Sequence, residues 1–103
     1  MSESELSMLL DEIKNYLDIT WYDPKEDEKL EGMIKRGMAS LSGVLGECNF
    51  LEETQEKALL FQMIMYERAG ERQQFWTNYK SEILSLQMAK KVDEYAKGET
   101  ETV

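Results

Sequence analysis

The chain contains no histidine, which removes the side chain that most often serves as a general base or a metal ligand. Its one thiol, Cys48, has no imidazole to activate it and no second cysteine to pair with. A core or loop role is expected for it, and a chain that forms no internal disulfide suits a reducing compartment. Glu26, Asp27, Glu28 and Glu31 form a dense acidic group. To hold a hard cation their oxygens must converge, whereas neighbouring positions on a helix diverge, so a solvated acidic face is expected. No glycine-rich phosphate loop and no CxxC pair is present.

Met8, Met33, Met38, Met63, Met65 and Met88 invite comparison with adaptable binding surfaces. Met33, Met38, Met63 and Met65, however, fall on predicted core stripes or on the predicted buried helix, where methionine fills gaps. Trp21 and Tyr22 stand in a connector, off any helical stripe. Two roles are open to them: stapling the next helix to the core, or touching a partner. These residues predict no enzyme, no cofactor and no metal site.

The elements that must position them are few. A chain of 103 residues with 42% apolar and 32% charged content predicts one domain with a modest core. One proline and six glycines leave little punctuation, which favours long helices over short strands. The 21 acids and 12 bases give a net charge of −9, so binding to nucleic acid through phosphate neutralisation is not expected. Residues 1–31 hold ten of the acids and only three lysines, a repulsive surface toward DNA or a docking surface toward something basic. No apolar run reaches the ~18 residues of a membrane span, and MSESELSMLL lacks the basic region of a signal peptide. A protein that stays in a cytoplasm, or in a particle assembled there, is expected.

Period and punctuation predict four helices. The first, over 4–17, places Leu6, Leu9, Leu10, Ile13 and Leu17 on one stripe. Asp23, Pro24 and Glu26 then supply a cap, a proline at the first helical position and an acid in the first turn. The helix they start carries Leu30, Met33, Ile34, Gly37, Met38, Leu41, Val44 and Leu45 on one face and stops at Gly46. Gly37 lies in the middle of that face at a cost of about 1 kcal/mol relative to alanine, so close packing against it is expected. Thr54 caps a third helix ending near Gly70, whose ALLFQMIMY is apolar all round and predicts the helix buried between the others.

The fourth segment, 71–96, is harder to satisfy. Phe75, Trp76, Tyr79, Ile83 and Leu86 form one stripe, read as a core motif; Leu84, Met88, Val92 and Tyr95 form another on nearly the opposite side. One straight helix on one small core cannot bury both. Either the chain bends near 85–87, or the second stripe docks on another body such as a neighbouring subunit, the reading favoured here. Leu84, Met88, Val92 and Tyr95, with Trp21 and Tyr22, are therefore the candidate interface. The expected architecture is an all-α bundle of about four helices with a long carboxy-terminal helix, one domain over 1–96 and a disordered acidic tail over 97–103.

The block FWTNYKSEILSL, with Phe75, Asn78–Tyr79, Glu82–Ile83 and Leu86, follows an early DITWYD at 18–23, and Leu41 and Phe50 stand between them. In order and spacing these positions resemble the head–tail connector proteins of long-tailed bacteriophages and prophages, also labelled DNA-packaging proteins, over residues 5–90. The resemblance implies a non-enzymatic subunit of a ring of about a dozen copies beneath the portal of the virion, extending the DNA channel. Its implied partners are other copies, the portal protein and a tail-side completion protein. The length and second stripe of the carboxy-terminal segment depart from that pattern. The alternatives are a small acidic regulatory protein that binds a basic partner, and an enzyme accessory subunit.

Overall fold

Local sequence sets the helix ends. Ser2 caps the first helix: its hydroxyl accepts from the Glu5 amide at 3.2 Å while Glu5 accepts from the Ser2 amide at 3.0 Å. Asp23 accepts from the Lys25 amide at 3.0 Å, and Pro24 follows it. Thr54 accepts from the Lys57 amide at 3.2 Å. Gly46 and Gly70 close two helices at positive φ of 82° and 74°, which glycine adopts without a Cβ penalty.

The computed structural model describes residues 2–102, with side chains to Asp93. It contains α1 (Glu3–Tyr16), α2 (Pro24–Leu45), α3 (Gln55–Arg68), α4 (Arg72–Asn78) and α5 (Lys80–Thr102), and no strand among the described residues. The protein is all-helical. The side chain of Tyr95 lies outside the described residues, and α5 runs through 97–102, where the sequence predicts a disordered tail.

Helix α3 is more densely buried than α2: five of its 14 residues are buried, against five of 22 in α2. Leu59, Leu60, Met63 and Ile64 form one core with Leu9, Leu10 and Ile13 of α1, Leu30, Ile34, Leu41 and Leu45 of α2, and Phe75 and Ile83. Ile19 and Phe50 enter the same core from the connectors. The expected close approach at Gly37 is present: a Cβ there would lie 2.7 Å from Leu60 Cδ1 and 3.4 Å from Met63 Sδ. Glycine lets α2 and α3 cross at that point.

Two residues read as core are not. Met65 and Val44 are both exposed, because α3 is covered by its neighbours on part of its circumference only and Val44 lies at the open end of α2. Nor is the fourth segment one helix. It breaks at Tyr79 (φ −106°, ψ 11°), not near 85–87, which lie within an uninterrupted α5. Tyr79 stacks on Phe75 with ring centroids 5.1 Å apart, and Tyr66 meets both rings edge-on at 6.1 Å. Asn78 donates to the Tyr66 hydroxyl at 3.0 Å. The bend lets Phe75 and Ile83 reach the same core from two different helix axes.

Candidate functional site

Helix α5 has two unlike faces. On the inner one, Ile83 is buried and Leu86 half-buried against the core. Polar contacts extend that anchorage. Gln55 donates to Glu82 at 2.9 Å, Gln87 to the Val44 carbonyl at 2.7 Å, and Lys90 to the Glu47 carbonyl. Lys90 also pairs with Glu56 at 3.2 Å. Burial works against the charge on Glu56, but hydrogen bonding from its own backbone amide and from Lys90 outweighs it and holds the carboxyl below its ordinary pKa.

The outer face carries Leu84, Met88 and Val92, all exposed, Met88 at 69% of its surface. At 100° per residue these three fall, with Lys80 and Lys91, within about 120° of arc. Both lysines are exposed, and neither is in an ion pair among the described residues. A cleft of about 290 Å³ lined by Val44, Leu45, Gly46, Gln87, Lys90 and Lys91 runs beside this strip.

The second candidate lies at the other end of α2. Trp21 and Tyr22 are exposed, Tyr22 at 80%. Ile19, two residues earlier, is buried in the core, next to Asp18 at a φ of 59°. The Lys14 ammonium lies 6.0 Å from the Tyr22 ring centroid. Asp18 and Asp23, on either side of the aromatic pair in sequence, are exposed, as are Lys25, Glu28 and Lys29 at the start of α2.

The acidic group of α2 is not the uniformly solvated face its sequence predicts. Asp27 pairs with Lys14 of α1 at 2.8 Å, and Glu26 pairs with Arg68 of α3. These two acids tie three helices together; Glu28 is exposed and Glu31 half-buried. A further ionic contact had no sequence signal. Lys57 is buried in α3 with its ammonium held by Glu12 of α1, by Glu53 at 3.0 Å and by the Leu51 carbonyl at 3.3 Å. Burial alone would lower its pKa, yet the two carboxylates raise it above the ordinary lysine value. A cleft of about 270 Å³ beside it is lined by Tyr16, Phe61 and Gln62.

Cys48 is half-buried and donates to the Gly46 carbonyl at 3.3 Å. Burial pushes its thiol up in pKa against the pull of Lys90 at 3.9 Å, the opposite of what a nucleophile needs. Among the described residues no three His, Cys, Asp or Glu side chains converge on a metal position. No helix there is long and apolar enough to cross a membrane.

Of the residues predicted for an interface, Leu84, Met88 and Val92 share one exposed strip, while Trp21 and Tyr22 form a separate patch. Of the residues read as a core motif, Phe75 and Ile83 are buried, and Tyr79 and Leu86 are half-buried against the core. No family model matches the chain, and it finds no match among curated proteins or solved structures.

Proposed function

We propose that the chain is a structural subunit that assembles with copies of itself into a ring, and that it works by contact rather than by catalysis. The head–tail junction of a tailed phage or prophage, beneath the portal and above a tail-side completion protein, is the setting that the resemblance over residues 5–90 suggests. The observation that carries the reading is the exposed strip of Leu84, Met88 and Val92 on a helix whose other face is anchored. Contiguous apolar surface on a small acidic protein marks a contact site. Full burial of each such side chain is worth roughly 1.5–3 kcal/mol, a favourable term set against the entropic cost of association. Net charge of −9 suits the wall of a DNA conduit, which must not grip phosphates.

Light scattering on the purified chain across a range of concentrations tests the reading. A ring subunit gives a rise in mass to a closed species of fixed size, and that species binds purified portal protein. A strict monomer or dimer that instead captures a basic protein supports an acidic regulator, which the exposed Trp21 and Tyr22 in the acidic first third favour.

A further inference from the structure

We infer that the two exposed patches are the two halves of one contact: the α5 strip of one copy seats on the Trp21–Tyr22 corner of the next. The inference rests on the ring reading and gives it a specific interface. Three observations point to it.

The first is chemistry. The strip presents Leu84, Met88 and Val92 flanked by Lys80 and Lys91, all exposed. The corner presents Trp21 and Tyr22 with Asp18 and Asp23 beside them in sequence, all exposed. Apolar surface meets aromatic surface, and two ammonium groups meet two carboxylates. The lysine stems and heads also suit the aromatic faces, as Lys14 over Tyr22 already illustrates within the chain at 6.0 Å.

The second is self-exclusion. Strip against strip would bring Lys80 and Lys91 against their own copies, and corner against corner would oppose the carboxylates. Like charges across a contact cost affinity, so each patch disfavours itself.

The third is position. The corner precedes the first residue of α2, and the strip is fastened to its far end through Gln87 and the Val44 carbonyl. With 22 residues, α2 separates the two by about 33 Å at ~1.5 Å per residue. The patches cannot meet within one chain. A contact between different patches at opposite ends of a subunit is heterologous, the kind that generates a ring where the rotation between copies closes.

Two variants, each disabled on one side, test the pairing. Met88→Asp with Val92→Asp spoils the strip and leaves the corner intact; Trp21→Lys spoils the corner and leaves the strip intact. Each alone should stay monomeric at concentrations where the wild type assembles. Mixed in equal amounts they should form a heterodimer of twice the monomer mass and nothing larger, since only one competent contact remains. Circular dichroism checks that each is folded, and Tyr22→Lys serves in place of Trp21→Lys if that variant loses helix. Normal assembly of the corner variant, or a mixture that stays monomeric, overturns the pairing while the ring reading stands. A wild type that is monomeric throughout overturns both.

Discussion

The segment after α3 offers two apolar stripes of similar make-up and opposite fate. Phe75, Tyr79, Ile83 and Leu86 turn inward, and Phe75 has no exposed surface at all. Leu84, Met88 and Val92 begin within the same stretch of chain and remain in solvent. Hydrophobicity does not separate them. Geometry does: the bend at Tyr79 aligns the first stripe with the core built on α3, and the uninterrupted α5 then carries the second stripe to the far side. The path of the backbone, not the make-up of the stripe, decides which of the two is buried in its own domain.

The largest expected effect lies on the inward stripe. Phe75→Ala removes the ring around which Tyr66, Trp76 and Tyr79 are arranged, at a cost of about 3–5 kcal/mol. Thermal unfolding should shift down by roughly 12 °C or more. A shift of only a few degrees would show that Phe75 does not hold the inward stripe in place.

Gly37→Val comes next. Its Cβ would stand 2.7 Å from Leu60 Cδ1, so the fully buried Leu60 side chain would have to shift to admit it. Overpacking of this kind costs about 1–3 kcal/mol. Urea unfolding measures it, and a variant as stable as the wild type would mean that α2 and α3 do not cross closely at this point.

The smallest effect concerns the anchor of α5. Glu56 has a lower pKa folded than unfolded, so its contribution is complete above the ordinary glutamate value near ~4.3 and lost as pH falls through the folded value. Glu56→Gln should therefore be less stable than the wild type at neutral pH, by about 0.2–1 kcal/mol for a surface pair of this type. The gap between the two should close on acidification. A gap that persists at low pH would remove Lys90–Glu56 from the account of what holds the inner face.

Much of this contrast was legible in the sequence. Asp23–Pro24 and Thr54 mark helix starts by local chemistry, and Gly37 announces a close approach because nothing else explains glycine in the middle of an apolar face. The stripe containing Phe75 follows from helical period alone. The break at Tyr79 was hidden: its ring meets Tyr66 of α3 edge-on and stacks on Phe75 of α4, contacts that leave no periodic signal. So were the ion pairs of Glu26 with Arg68, Asp27 with Lys14 and Lys57 with Glu12, which join residues distant in sequence and leave no periodic trace. An acid that looks solvated in sequence can be an interhelical tie. Trp21 and Tyr22 were open to two readings, a staple or a partner contact; both are exposed, and Ile19 beside them is buried.

The most direct test of the outward stripe combines mass and melting temperature on one variant, Met88→Asp with Val92→Asp. Both side chains are exposed in the monomer, so its helical signal and melting temperature should stay within a few degrees of the wild-type monomer. Assembly should be lost, because two unpaired charges enter a dry contact. A variant that assembles as the wild type does, or one that unfolds, contradicts the account: the first removes the strip from any interface, and the second returns it to the subunit's own core.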